Sequence, residues 1–411
     1  MTPAPRQLRI LWVLPYLPWP ASSGGKTRLY HLLRVLALRG HRITLLAQSK
    51  TPLDAETRAA LEPWLERLIV LPRRPLRHPV TLGAALFARC PLLASVNGFS
   101  RKARETFGEL LTQTWDIVHV EHSYSCQPYL QLLEAGRHPW VLAEQNLESA
   151  LGGATYDRLP WGLAGFARYD QWRYRRWERR TLAAANRVVA VTHDDARRLE
   201  PLVGRSVPVV VNAVDTEHFA RVVPDLASQR ILFVGNYEYA PNLEAVEWTI
   251  GEIMPRLWQQ CPTARLQICG HAMPRHWAAT FTDPRLEWCG FVPDLRAVQG
   301  RAAAFLAPLR QGGGSKLKVI EALAAGLPVV STAQGASGLG VVGGQQLEIA
   351  EDAQALANTL ADLLARPLRA AALGEAGRSY ARASHDWQTA VIQLEVVYAE
   401  LLAEWEAERC S

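Results

Sequence analysis

Short apolar runs bounded by glycine, proline or charge alternate, along the first half of the chain, with segments whose apolar residues recur every three or four positions. The run RILWVL predicts a buried strand over 9–14. After a proline- and glycine-rich loop, the period of KTRLYHLLRVLALR predicts an amphipathic helix over 26–39 closed by Gly40, and a second strand follows over 42–47. Right-handed crossover makes these strands parallel. Further buried strands are expected over 116–120, 140–143 and 187–191, each opening into a loop at its C-terminal end, where ligands of parallel sheets gather. The pattern then restarts, with strands expected over 207–211, 231–234, 265–269, 286–289, 304–307 and 327–331, and helices over 243–259 and 294–301. A long amphipathic helix over 385–408 carries Trp387, Leu394, Val397, Tyr398, Leu401 and Trp405 on one side, suited to packing back on the first domain. The class is therefore α/β, with two doubly wound sheets facing a cleft: residues 1–204 joined by helix 385–411, and residues 205–384.

At 411 residues the chain exceeds what one core usually serves, in keeping with two domains. Its N-terminal apolar run is broken by proline and followed by no small-residue cleavage site, so it reads as a lead into the first strand. No stretch of about eighteen apolar residues occurs without a charge or breaker, and no transmembrane helix is expected. The six cysteines, Cys90, Cys126, Cys261, Cys269, Cys289 and Cys410, lack paired spacing and read as buried thiols of a reducing, cytoplasmic compartment. The net charge of +6 is less telling than its distribution. FARYDQWRYRRWERR, 166–180, sets six arginines among aromatic rings at helical spacing, a pattern suited to peripheral contact with an anionic membrane or, more simply, to a solvated surface helix. No nucleic-acid-binding module surrounds it.

The richest chemistry lies in PLRQGGGSKLKVIEALAAGLPVVST, 308–332. Gly312, Gly313 and Gly314, followed by Ser315, allow backbone N–H groups to turn inward around a diphosphate. Lys316 and Lys318 add positive charge near the first turn of a helix running through Leu323, where anions are already favoured. Glu321, one turn further, would repel phosphate, and its natural task is to accept hydrogen bonds from the vicinal hydroxyls of a ribose. Gly326 closes the helix before the buried strand.

With SSGGKTRLYHLLRVLALRGHRITLLA, DIVHVEHS, WERRTLAAANRVVAVTHDD, VVVNAVDTEHF, ILFVGNYEYAPN and GFVPD in order before that string, the chain resembles, over nearly its whole length, the large retaining family of GT-B glycosyltransferases. The subgroup with a GGGS/T-K/R loop builds bacterial surface or extracellular polysaccharides. The resemblance implies two Rossmann-like domains, with a nucleotide-sugar as co-substrate and no separate cofactor. Gly24 and Gly25 match its loop after the first strand; Gly235 and Asn236 end the first strand of the second domain, facing the donor. Relatives follow that strand with an arginine and a lysine, whereas Asn236, Tyr237, Glu238 and Tyr239 stand here, which leaves Lys316, then Lys318, to grip the diphosphate. Glu321 matches the later of the family's glutamate pair, and Gly313 stands at the earlier position. A histidine that touches the donor sugar corresponds to Glu121 or His122, between which the alignment does not choose. Gln145, Asn146 and Glu148 fall at the next strand's edge, suited to acceptor hydroxyls.

No Asp-x-Asp metal motif occurs, and Asp194 and Asp195 read as helix caps, so a metal-independent hexosyl transfer is expected, in which backbone donors and lysines stabilise the leaving nucleoside diphosphate. The acceptor would be a saccharide or lipid-linked saccharide at the inner face of the cytoplasmic membrane. The reading from another class is a non-catalytic nucleotide-sugar-binding or assembly subunit of a polysaccharide complex.

Overall fold

The structure is a computed structural model that describes residues 6–75, 78–145, 147, 149, 164–312 and 316–410. It divides into two compact units, one formed by Met1–Val211 with Ala390–Ser411 and the other by Asn212–Thr389.

In the first unit six parallel strands run in the order β3-β2-β1-β4-β5-β6: β1 Arg9–Leu14, β2 Arg42–Ser49, β3 Arg67–Pro72, β4 Ile117–Glu121, β5 Trp140–Glu144 and β6 Arg187–Ala190. The second unit repeats the arrangement as β12-β11-β10-β7-β8-β9: β7 Arg230–Asn236, β8 Arg265–His271, β9 Leu286–Gly290, β10 Ala304–Ala307, β11 Val329–Ser331 and β12 Glu348–Ile349. Strands β1, β4, β5 and β10 are buried on both faces, and apart from Arg9, His119, Glu121 and Glu144 they are apolar. Helices cover those faces and complete the cores, with Phe107, Tyr129 and Leu199 in the first unit and Trp277, Leu356 and Leu360 in the second fully buried.

Several elements depart from the pattern-based expectation. β3 and β12 were not anticipated: β3 is a half-buried edge strand flanked by arginine and proline, and β12 has two residues. The expected strand 207–211 is absent as a strand, and only Val209 makes an isolated bridge to Ala190. The expected helix 243–259 is instead Ala240–Trp248, a π-turn Thr249–Ile253 and Met254–Gln260. Pro255 has no N–H to donate one turn back, and the helix widens just before it. The expected helix 294–301 shrinks to Arg296–Gln299, because Asp294 turns onto Arg296 and holds its guanidinium in a two-pronged pair. All six cysteines are unpaired thiols, but Cys289 and Cys410 are exposed and Cys261 is half-buried, Cys289 because β9 is an edge strand.

The C-terminal helix, Trp387–Cys410, packs back on the first unit. Its Glu395 accepts hydrogen bonds from Arg39 Nε and Nη2 at 2.6 and 2.7 Å and pairs with His41 Nε2 at 2.9 Å. The backbone N–H of Leu8 donates to His41 Nδ1 at 3.1 Å, so the ring carries its proton on Nε2 and donates it to Glu395. Burial resists ionisation of Glu395, but hydrogen bonds from Arg39 and His41 outweigh it and hold the carboxyl below its ordinary range. Glu395→Ala strands a buried imidazole and a half-buried guanidinium; it is expected to lower unfolding free energy by about 2–3 kcal/mol in urea titrations at neutral pH. Because the folded carboxyl has the lower pKa, that difference should shrink as pH falls through the acid range where the folded carboxyl titrates.

Candidate active site

Both sheets change strand order between their first and fourth strands, so the connections leave β1 and β4, and likewise β7 and β10, on opposite faces and part above the carboxyl ends. Gly24 and Gly25 follow β1, Glu121 ends β4 and His122 follows it, Gly235 and Asn236 end β7, and Gly312, Lys316, Lys318 and Glu321 follow β10, whereas Gln145 follows β5.

In the first unit the chain leaves β1 through Tyr16 and enters the helix Gly24–Leu38 at Gly24 and Gly25. A Cβ at Gly25 would lie 2.8 Å from Gln145 Oε1 and 3.1 Å from the Tyr16 hydroxyl, so the absence of a side chain there lets three loops converge. The Tyr16 hydroxyl is in turn 3.3 Å from His122 Nε2. Gly25, Tyr16, His122 and Gln145 thus form one cluster. His122 sits one residue beyond β4 with φ 63°, a left-handed conformation that costs a non-glycine residue energy and is held in place by its surroundings. Its ring stacks on Tyr124 at 4.8 Å. Asn146 and Glu148 lie outside the described residues.

Glu121 is placed differently from its neighbour. Its carboxylate is buried, with Oε1 3.1 Å from His119 Nε2, while His119 Nδ1 is 2.7 Å from the Tyr398 hydroxyl of the C-terminal helix. Burial raises the Tyr398 pKa, keeping its hydroxyl a donor. Accepting from Tyr398 at Nδ1 and donating to Glu121 from Nε2 would answer both ring nitrogens of His119. Burial opposes ionisation of Glu121, yet His119, His122 and Arg28 together leave its pKa below the ordinary value. Arg28, buried in the first helix, donates to the carbonyls of Val211 at 2.7 Å and Val210 at 2.8 Å, and burial pushes it down to about 10 against the pull of Glu121. His122 is pushed down to about 4 by burial, with Arg28 adding to the effect and Glu121 opposing it. The edge therefore presents a neutral imidazole backed by a buried carboxylate.

In the second unit Gly235 and Asn236 end β7, and Asn236 is exposed. Asn242 ties this edge to the helix Leu317–Ala324: its Nδ2 donates to the Asn236 carbonyl at 2.7 Å, and its Oδ1 accepts from Lys318 Nζ at 2.6 Å. The Lys318 ammonium also lies 4.9 Å over the Phe233 ring, and burial, with Lys316 nearby, lowers its pKa to about 7. Lys316 stands at the N-cap of that helix, buried, with Nζ donating to the Gly312 carbonyl at 3.1 Å; Gln334 Nε2 donates to the same oxygen. Gly312, at φ +114°, passes so close to Tyr239 that a Cβ would lie 2.6 Å from its hydroxyl. Gly313, Gly314 and Ser315 lie outside the described residues. Glu321, one turn into the helix, is half-buried; burial raises it to about 7, and it has no hydrogen-bonding or ionic partner among the described residues. The helix closes as expected, with Gly326 at φ +73° and the N–H of Leu327 donating to the Ala322 carbonyl at 3.0 Å.

Tyr16, Arg28, Asn242 and Tyr398 belong to these clusters and were not singled out as site residues from sequence. Arg28 and Asn242 lie inside the quoted motifs, and Tyr398 was legible only as part of an apolar stripe. Asp194 and Asp195 are not the caps of their helix: Thr192 holds that position, accepting from the Asp195 N–H at 3.0 Å, and the aspartates occupy the first turn.

Residues 23–215 match the family described as "Glycosyl transferase 4-like domain", and residues 228–366 match "Glycosyl transferases group 1". A protein of Klebsiella pneumoniae described as an uncharacterized 44.6 kDa protein in the cps region is 23% identical over 360 residues, covering 84% of this chain and 88% of that one. Among solved structures, a sucrose-phosphate synthase from Thermosynechococcus elongatus superimposes with a TM-score of 0.70 at 18% identity, covering 97% of this chain and 100% of that one. HepE of Anabaena, solved with UDP and glucose, gives 0.63 at 16% identity, covering 96% and 100%.

The depressed His122 pKa has a testable sign. The unfolded ring takes up a proton at about pH 6.5 and the folded ring only at about pH 4, so stability falls as pH drops through that window, by about 3 kcal/mol. Urea unfolding between pH 7 and 4 should show this slope in the wild type and a shallower one in His122→Asn.

Proposed function

The chain belongs to the retaining group 1 glycosyltransferases and has their GT-B fold, and from this we propose that it transfers a hexose from a nucleotide-sugar to a saccharide or lipid-linked saccharide in bacterial surface or extracellular polysaccharide synthesis. The observation that carries this reading is Glu321: a carboxylate with no partner among the described residues, one turn into a helix whose N-terminal side carries Lys316, Lys318 and the glycine loop. A carboxylate so placed can take two ribose hydroxyls while the lysines and backbone N–H groups of Gly312, Gly313, Gly314 and Ser315 take the diphosphate. Gly235 and Asn236 would border the nucleotide. The cps-region relative supports the polysaccharide assignment, and the UDP in the HepE structure makes UDP-sugars the first donors to test.

At the edge of the first unit, Gly24 and Gly25 would allow close approach of backbone, and Gln145, with Asn146 and Glu148, would serve acceptor hydroxyls. We assign the contact with reacting groups to His122 rather than Glu121, because His122 neighbours Tyr16, which borders Gly25, while Glu121 turns to His119. Being neutral, His122 can donate or accept a hydrogen bond without adding charge. Glu121 then acts as a positioning residue. The sequence carries no Asp-x-Asp pair, and Lys316 and Lys318 supply the positive charge that the leaving diphosphate needs, a metal-independent arrangement. The enzyme would work at the inner face of the cytoplasmic membrane, with segment 166–180 against anionic lipid.

Calorimetry of the purified chain against nucleoside diphosphates and their sugar conjugates tests the donor site. Glu321→Ala should weaken binding of the preferred nucleotide about tenfold or more, and Lys316→Ala should slow turnover about 100-fold. Saturable binding without hydrolysis or transfer would favour the assembly-subunit reading, and no binding across the panel would refute the donor site. Binding should also peak near pH 7. On the acid side Glu321 gains a proton and ceases to accept from hydroxyls, whereas on the alkaline side Lys318 loses its charge. Glu321→Gln should flatten the acid limb and Lys318→Arg the alkaline one.

A further inference from the structure

A cavity of about 490 Å³ in the first unit lies apart from the clusters just described. Its wall carries Arg101, Arg104 and Arg180, with Trp177, Gln127 and the ring of Phe99 beside them. Two arginines are paired with carboxylates at the surface, Arg101 with Glu105 at 2.6 Å and Arg180 with Glu134 at 3.0 Å. Exposed pairs of this kind are weak and exchange readily for a phosphate. Arg104 has no carboxylate partner among the described residues. The wall is built rather than incidental: Phe99, at φ 53°, donates its N–H to Gln127 Oε1 at 2.6 Å, so a strained non-glycine residue is clamped to present its ring, which is 44% exposed. Trp177 is fixed by donation from Nε1 to the Ser123 carbonyl at 2.9 Å.

The surface that adjoins this cavity has a consistent chemistry. Along the helix Ala164–Ala184 the arginine and aromatic residues divide. Arg173 and Tyr174 turn inward, Arg173 onto Asp170 and the Ala88 carbonyl, whereas Arg168, Tyr169, Trp172, Arg175, Arg176 and Arg179 are exposed. Trp172, Arg176 and Arg180 stand four residues apart, on one line that ends at the cavity after about 12 Å, with Arg176 lying 5.7 Å from the Trp172 ring. Ala88, held by Arg173, directly follows the helix Pro79–Phe87, which is apolar and exposes Val80, Leu82, Leu86 and Phe87, the last at 87%. An apolar helix beside exposed tryptophan and a line of guanidinium groups is the composition of an interfacial surface, and its positive charge complements anionic lipid.

We propose that this face docks on an anionic phospholipid surface, with Leu86, Phe87 and Trp172 in the interface and one lipid phosphate seated in the cavity between Arg101, Arg104 and Arg180. The inference adds a headgroup site to the membrane contact proposed above and does not depend on the transferase reading, since its test uses neither donor nor acceptor. The full chain is sedimented with vesicles of phosphatidylcholine alone or mixed with phosphatidylglycerol. Partition is expected only with the anionic vesicles. Arg104→Ala should reduce it about fivefold and Arg104→Ala with Arg180→Ala about twenty-five-fold. Phe87→Ser with Leu86→Ser should reduce it about tenfold. Arg198→Ala, an exposed arginine on another helix, should leave it unchanged, and unchanged urea midpoints should show that every variant is folded. Absence of partition, or equal partition by all variants, overturns the proposal. Binding of glycerol 3-phosphate by calorimetry, lost in Arg104→Ala but without vesicle partition, also overturns it and reassigns the cavity to a soluble phosphate ester.

Discussion

Parallel strands cannot be joined by tight turns; each connection must climb over a face of the sheet and return. In both units that requirement, combined with a reversal of direction after the third strand, opens the backbone above the middle of the sheet. There the chain ends of β1 and β4, or of β7 and β10, expose polar groups that no neighbouring strand can satisfy. Most of the chemistry of the two candidate edges, from the left-handed His122 to the lysines at the start of helix Leu317–Ala324, is attached to these four strand ends or to the loops leaving them, with Gln145 after β5 and Tyr398 on the C-terminal helix joining from elsewhere.

The two edges solve different electrostatic problems with similar parts. In the second unit, Lys318 and Glu321 stand three positions apart on one helix, and burial brings both toward pKa values near 7. Such groups are poised rather than fixed, and a ligand carrying both phosphate and hydroxyls would reward each in its charged form. In the first unit the charge is set back from the surface. Arg28 and Glu121 are buried, their interaction runs through protein, and the His122 imidazole beside them is buried and uncharged as well. A region built this way favours hydrogen bonding over ionic attraction.

Much of this was legible in the sequence because it depended on local pattern. Runs such as RILWVL and AFLA announce strands buried on both faces, and the string from Gly312 to Glu321 announces an anion-binding helix start with a carboxylate behind it. What escaped depended on distance along the chain. Nothing near His119 says that its partner is Tyr398, and the choice between Glu121 and His122 turns on contacts with His119 and Tyr16 that no local pattern announces. β3 escaped because an edge strand buries too little to need an apolar signature, and the break at Thr249–Ile253 because a long amphipathic period hides a proline that the helix accommodates by widening.

The row Tyr398, His119, Glu121 also has a meaning in time. The first unit is assembled from both ends of the chain, whereas the second is one continuous stretch, Asn212–Thr389. A ribosome therefore delivers the second unit whole before it delivers the tyrosine that completes the first. Until then His119 is an imidazole in an apolar sheet with one of its nitrogens unanswered, and the carboxylate it steadies is correspondingly ill-defined. A nascent or prematurely terminated chain can possess nearly all of the sheet and still lack the finished polarity of its edge, so that completion of translation becomes a checkpoint on the chemistry of the first unit.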